Sequence, residues 1–501
     1  MISAALQTRA LPPLTQPAIV AVAIVYFTIV AGIGVWATRR TRTASDFFVA
    51  GQGIGLLALA IAAMAATLSG FAFIGGPGLI YTIGLGAIFI VLPAGLTNTM
   101  TAWVLAKKMR LLGEARGLIT VPDAIGARYR SRFAQGLSGT AMLIAIVGYM
   151  ATNILALGLV INAIFGIGLG WGIWLGTGIT LGYSVAGGIL AGVYTDVFQG
   201  LLMAVASVLV FMFALDVGGG MSEISRTIAA ADPAFLAPWG RLTPLAALSF
   251  FFVFGLGSLG QPHVVHKFYM LKDPRRLKWY PVLMTAALAV TLLLYFGVGV
   301  AVKALTVRGE MALATPDDAT PTFLLHFTPV ILAALVFSGV AAAIMSTMNS
   351  FMNIGAAVLT HDLPKSFGAR VHNELRMGRI ATVIISVVAA LTAQLSGTLV
   401  AFLGIFGWGL FASTLVPALA IGLNWEGATR EGAIASIGTG LVFTLMFETL
   451  SYFKAYSFPA GITVSGGALV LSFLVFFIVS FLTRERALTQ IDPDVRLIME
   501  A

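Results

Sequence analysis

Apolar runs of about twenty residues or more recur from one end of the chain to the other, with short polar stretches between them. They fall near 17–38, 54–77, 82–107, 133–165, 168–186, 189–217, 243–264, 279–303, 329–361, 376–396, 398–424, 431–453 and 460–483. Each run is continuous and does not alternate with period two, which predicts helices and excludes a closed β-barrel. Runs of this length span a bilayer, and a helix satisfies its own backbone there without water. The pattern therefore predicts an all-α polytopic membrane protein of about thirteen crossings. The longer polar gaps are 108–132, 218–242, 304–328 and 362–375. Within them, "VPDAIGARYRSR" (121–132) predicts a short amphipathic cytoplasmic helix, and "TPDDATPTFLLHF" (315–327) an outer loop carrying one short helix.

Two of the runs carry helix-weakening clusters: "TLSGFAFIGGPG" (67–78), with Gly70 and Pro77, and "FGLGSLGQPH" (254–263), with Gly257 and Pro262. Glycine lowers helix stability, and proline removes a donor and clashes with the preceding turn. A single glycine in a membrane helix signals close packing. Two clusters in the second and seventh runs would each open a five-span unit. An odd number of spans forces the two units into opposite orientations, the inverted-repeat plan of secondary transporters. Leu68, Gly70, Pro77, Gly257 and Pro262 are the expected hinge or carbonyl-presenting positions.

Composition agrees with the pattern. The 501 residues are 59% apolar and 10% charged, with a mean hydropathy of +0.97. The net charge of +9 is a topology signal and not a nucleic-acid footprint. With the N-terminus outside, all of the 29 Lys and Arg fall on the cytoplasmic side except Arg9, Arg226, Arg241, Lys303, Arg308 and Lys454. There is no cysteine, so thiolate metal sites and disulfides are excluded. The N-terminal stretch lacks the basic region and cleavage site of a secretory signal, so the first run is expected to remain as a span. A bacterial inner membrane is the expected location.

The ninth run raises a chemical question. In "SGVAAAIMSTMNSFMNIGA" (338–356), Ala343, Ser346, Thr347 and Ser350 follow i, i+3, i+4, i+7 spacing and share one helix face, with Asn349 at its flank. Small polar residues often only bond their own backbone or a neighbouring helix. Four of them together, beside broken helices with bare carbonyls, make an uncharged oxygen set suited to a monovalent cation such as Na⁺. A titratable group lies within another run, Asp196 in "YSVAGGILAGVYTDVFQG" (183–200), where it is a cation ligand, is hydrogen-bonded to Tyr194, Thr195 or Gln199, or is half of a structural ion pair. The five histidines, His263, His266, His326, His361 and His372, fall at span ends or in loops and form no HExxH pair. No G-x-S-x-G elbow is present either, and an enzyme is not expected.

In "ASDFFVAGQ" (44–52), "SGFAFIGGPG", "GGILAGVYTDVFQG", "GLGSLGQPH" and "AAAIMSTMNS", taken in order, the sequence resembles the sodium:solute symporters. That family includes the bacterial proline, pantothenate and sialic acid symporters and the sodium–glucose cotransporters. The resemblance covers essentially the whole chain and implies one transmembrane transporter domain, 1–501, with a LeuT-like five-plus-five inverted repeat. The parts would be a peripheral first helix (17–38), the first repeat (54–217), the second repeat (243–424), two peripheral helices (431–483) and a cytoplasmic tail (484–501).

The resemblance also implies a sodium site made by the carbonyls of Ala65, Leu68 and Ala343 and the hydroxyls of Ser346 and Thr347. A second sodium, present in some relatives, would fall to Asp196, Ser346, Asn349 and Ser350, with Asn349 replacing the usual hydroxyl. Proline symporters carry an aspartate where this chain has Thr67, and aromatics at both Phe254 and Ser258. The sugar carriers' acidic residue and deep lysine have no counterpart. The implied solute pocket is lined by Thr67, Ser69, Phe71, Phe73, Phe251, Phe254, Ser258, Gln261 and Trp408. It is small, uncharged and mostly apolar, and suits an amino acid such as proline or a small monocarboxylate. The expectation is Na⁺-coupled uptake by alternating access, with a monomer sufficient for transport. The alternatives are a proton-coupled carrier in which Asp196 titrates, and a solute sensor that does not transport.

Overall fold

The computed structural model describes residues 17–50, 53–369, 371–397 and 399–500. Arg9 and the Gly51–Gln52 end of the "ASDFFVAGQ" stretch lie outside the described residues. Among the described residues the regular elements are helical. Among those residues, eleven helices are long and apolar enough to cross a membrane, where the sequence pattern predicts about thirteen.

Part of the difference comes from Leu169–Gly218, a continuous helical path of 50 residues. At about 1.5 Å per residue it is more than twice the length of one crossing. Gly188, at φ 57° and ψ −149°, interrupts it between the expected spans 168–186 and 189–217. That positive φ suits glycine, and a side chain there would also strike the Phe47 ring. Another part is Leu56–Thr67, which is apolar but too short to cross alone.

Both expected breaks are present, the first displaced from its proline and the second directly before it. Leu56–Thr67 ends at Leu68, whose backbone is extended (φ −84°, ψ 92°). The chain then resumes through a wide turn, Phe71–Gly75, and the helix Gly76–Ile83. Pro77 sits in the first turn of that helix, where no amide donor is required, so the interruption is at Leu68–Ser69 and not at Pro77. In the second case Pro244–Gly257 runs into a tight turn, Ser258–Gly260, and Gln261 is extended (φ −73°, ψ 108°). Pro262 then opens the short helix Pro262–Val265.

The hydroxyl-bearing helix, Val330–Ala357, is buried along nearly its whole length. It packs against Leu169–Gly218, Arg132–Phe165, Leu56–Thr67 and Pro17–Thr38, so its polar face looks into protein and not lipid. The amphipathic helix predicted after the third run is Val121–Tyr129, capped by the Thr120 hydroxyl, which accepts from the Asp123 amide. The outer loop carries its expected short helix, Ala319–Phe327. The tail folds back as Pro493–Glu500. There Arg116 bonds Asp492 at 2.8 Å and also holds Asp494, which places the tail on the same side as the loop before Val121.

Candidate functional site

The end of the first broken helix meets the hydroxyl helix directly. Thr347 Oγ1 lies 2.9 Å from the carbonyl of Ala66 and 3.1 Å from that of Ala343. One hydroxyl proton cannot serve both carbonyls at once, so an oxygen lone pair stays available. Beside it, Ser346 Oγ is fully buried with no hydrogen-bond partner. Ala65, Leu68, Ala343, Ser346 and Thr347 are all buried. A buried hydroxyl without a hydrogen-bond partner is costly unless something else takes its lone pairs. The oxygens here are carbonyls and hydroxyls, which a monovalent hard cation fits; the Asp196 carboxylate neighbours the Ser346 hydroxyl and is paired with Lys267.

The second set of polar residues is arranged differently from the expectation. Asp196 is fully buried in Leu169–Gly218, and its Oδ2 accepts from the ammonium of Lys267 at 3.0 Å. Lys267, itself 1% exposed, also donates to Ser350 Oγ at 3.4 Å. Asn349 turns away from this group. Its Oδ1 accepts from Ser184 at 2.6 Å and from Asn353 at 3.1 Å, and its amide nitrogen fills the space above Gly192. The structure thus joins Asp196 and Ser350 through a lysine and leaves Asn349 out.

Around the two breaks lies an aromatic cluster. Phe71 stacks on Phe254 (5.6 Å between centroids), and Phe254 on Trp408 (5.2 Å). Tyr149, on Arg132–Phe165, donates to or accepts from Ser69 at 3.0 Å and packs on Phe351. Asn153, one turn further along, accepts from the amide of Gly70 at 2.8 Å and so holds the unwound strand. Gly70 must be glycine, because a Cβ there would lie 2.5 Å from that of Ala156.

Gln261 donates to the Gly257 carbonyl, and its own Oε1 is buried and unpartnered. His263 is buried against Phe351 (4.8 Å) and Tyr149 (6.3 Å), and neither ring nitrogen has a partner. Both side chains thus keep unmet polar atoms, His263 within the aromatic cluster and Gln261 at the second break.

Four of the expected pocket residues have other contacts. Phe251 is 38% exposed and packs on Phe252, outside the cluster. On a helix the inward pair is Phe250 and Phe254, four residues apart, and Phe251 is rotated by about 100° from Phe250. Phe73 is buried but offers its carbonyl to Thr320 at 2.7 Å, tying the broken helix to the outer loop. Ser258 bonds Thr97 and the Gly255 carbonyl. Thr67 bonds the Ala63 carbonyl of its own helix.

The residues that sequence reasoning missed are Tyr149, Asn153, His263, Lys267 and Phe351. His263 and Lys267 were assigned to a span end and the loop beyond it, although the stretch "PHVVHKFYM" is apolar enough to run on inward. All nine of its residues are buried.

The two ends of the molecule differ. At the basic end, Arg128 donates to the carbonyls of Gly422 (2.5 Å), Trp425 (3.0 Å) and Ala428 (3.2 Å), and Tyr129 to that of Ala418. Asp123 accepts from His361 at 2.8 Å and Lys365 at 2.7 Å. Burial raises the Asp123 carboxyl, but His361 and Lys365 together outweigh it and hold it at about 2. Gln135 bridges Asp123 and Asp362.

At the opposite end, Asp317 accepts from the amide of Val400 at 2.9 Å, capping the helix Val400–Leu415. Burial pushes the Asp317 carboxyl up to about 6; the Val400 amide opposes this and Asp318 adds to it. Two cavities, of about 410 Å³ and about 510 Å³, flank this residue.

Two interrupted helices against a hydroxyl-bearing one define a secondary transporter, and similarity to known proteins names the class. The sodium:solute symporter family matches residues 47–440, and the chain belongs to it. It is 28% identical to the sodium/pantothenate symporter of Escherichia coli, over 85% of this chain and 90% of that one. It is 27% identical to the osmoregulated proline transporter OpuE of Bacillus subtilis, over 92% and 94%. Among solved structures, a Na⁺-coupled sialic acid symporter in a substrate-bound, outward-open state superposes with a TM-score of 0.77 at 19% identity, covering 93% of this chain and 98% of that one. A nucleobase-cation-symport-1 transporter in a closed conformation gives 0.54 at 14% identity, over 90% and 100%. The fold is the LeuT-like inverted repeat. The chain is a multi-pass membrane symporter of the sodium-coupled class and not an enzyme.

Proposed function

We propose that the chain carries a small organic solute bearing a carboxylate into the cell, with Na⁺ held by the carbonyls of Ala65, Leu68 and Ala343 and the hydroxyls of Ser346 and Thr347. The observation that carries this reading is the orphaned Ser346 hydroxyl next to a Thr347 hydroxyl shared between the broken helix and its own. Sodium would draw these oxygens together and fix the unwound segment against the hydroxyl helix. The solute would bind between the two breaks, with Ser69, Tyr149, Gln261 and His263 as polar contacts and Phe71, Phe254 and Trp408 as the apolar wall. The unwound segments supply amide donors for a carboxylate.

The basic end would face the cytoplasm of a bacterial inner membrane, following the charge asymmetry. The repeats would span 54–217 and 243–424, flanked by the peripheral helices at 17–38 and 431–483 and the tail at 484–501. At about 100 mV, one positive charge moving inward releases roughly 2.3 kcal/mol, worth about fifty-fold accumulation before the sodium ratio is counted. A proton-coupled cycle through Asp196 is disfavoured by its ion pair with Lys267.

A thermal-shift screen of amino acids and short carboxylates, run in sodium and in choline, tests the reading. The true solute raises the melting temperature in sodium and not in choline. Equal stabilisation in both salts would contradict sodium coupling.

A further inference from the structure

Lys267 has no part in the sodium site just described, yet it is among the largest fully buried side chains of the molecule. It belongs to the short helical turn His266–Met270, which follows the second break. From there its ammonium reaches Asp196 Oδ2 at 3.0 Å, on the kinked helix, and Ser350 Oγ at 3.4 Å, on the hydroxyl helix. These are two of the four side chains expected to hold a second sodium.

The charges leave no room for another cation. Among the described residues Lys267 has one ion-pair partner, Asp196, so the pair is neutral. A metal ion added beside it would face an ammonium at close range, and the single carboxylate would have to serve two positive charges in a fully buried site. The fourth expected ligand, Asn349, is committed elsewhere, to Ser184 and Asn353.

We infer that the Lys267 ammonium is a built-in occupant of the second cation position, so that this chain binds and carries one sodium per cycle. The inference rests on the sodium reading above. The tethered charge ties three elements together, as a second metal ion would, but it is never released. Because Lys267 follows Gln261 and Pro262 in the chain, the cation moves with the second broken helix.

The test counts sodium bound by the purified full-length protein, using equilibrium dialysis with radioactive sodium and no solute. The wild-type chain should bind one ion. Lys267→Gln, which leaves Asp196 without its partner, should bind two, with a steeper sodium dependence of tryptophan fluorescence. Asp196→Asn combined with Lys267→Gln should return to one, and Lys267→Arg should stay at one. Two ions on the wild-type chain would overturn the inference, as would one ion on a monodisperse, folded Lys267→Gln protein. If Lys267→Gln fails to fold, the wild-type and Lys267→Arg counts still decide. No ions on the wild-type chain would instead overturn the sodium reading itself, a result distinct from a count of two.

Discussion

Ser346 and Thr347 are adjacent, equally buried and chemically alike, yet the structure separates their roles. The Thr347 hydroxyl lies within bonding distance of two carbonyls and donates to one at a time, whereas Ser346 makes no well-formed hydrogen bond and sits beside Asp196. Removing either oxygen should weaken sodium binding by about the worth of one strong polar contact, roughly 1–1.5 kcal/mol or about ten-fold. Ser346→Ala and Thr347→Ala should each raise the sodium concentration for half-maximal uptake by about that factor. Ser346→Ala should leave the melting temperature in choline unchanged or higher, since it deletes an orphaned group.

Gly257 makes a second residue-scale prediction. A Cβ there would lie 2.7 Å from Trp408 Nε1 and 2.9 Å from the Ala412 side chain. Gly257→Ala should therefore push Trp408 off Phe254 and abolish uptake, at a cost of about 1–3 kcal/mol in stability. Uptake and melting of the variant check this together. At this scale the sequence disclosed the hydroxyl cluster, because four polar residues on one face of an apolar run stand out. It did not disclose the partner of Asp196: a lysine five residues past a proline reads as a loop cation until the chain is seen to turn inward.

At the scale of elements, both breaks were legible and their locations were not. Gly70, Pro77, Gly257 and Pro262 mark the right spans, but prolines are tolerated in a first helical turn, so the extended residues are Leu68 and Gln261. Periodicity also failed at Phe251, because a wholly apolar helix gives no sequence clue to its inward face. The outer loop is tied to the helix Val400–Leu415 and to the first broken helix through Asp317–Val400 and Thr320–Phe73. Asp317 has its carboxyl raised by burial to about 6, so the state that buries it takes up a proton more readily than one that exposes it. The stabilisation from that proton is complete below the ordinary carboxylate value near 4 and is lost as pH rises through about 6. Lowering the pH from 7 to 5 should therefore favour the buried-loop conformation, and Asp317→Asn should remove that dependence. Proteolysis of the 304–328 loop across pH measures it; an unchanged profile in the variant would contradict the role.

For the whole molecule, the asymmetry between ends is the main result. The basic end is tied together by Arg128 on three carbonyls and by the Asp123, His361 and Lys365 group, while two cavities adjoin Asp317 at the other end. Arg128→Ala would leave those three carbonyls without their buried donor and should loosen the basic end by about 2–4 kcal/mol. The chain has no native cysteine, so a single Ser69→Cys reports access cleanly. It should be labelled from the basic side only when Arg128→Ala is also present. Composition and run length foretold a helical membrane protein, and motif order foretold its family. The number of crossings was less secure, because Leu169–Gly218 is one helical path to the backbone and two spans to hydropathy.

The central claim, an uncharged oxygen cage for sodium at the first break, is tested most directly by solute uptake into proteoliposomes under an imposed sodium gradient or an imposed proton gradient. The wild-type protein should accumulate solute with the sodium gradient alone, and the Ser346→Ala, Thr347→Ala double variant should lose that accumulation while remaining folded. Accumulation driven by protons without sodium, or a double variant that retains full sodium-driven uptake, would contradict the account.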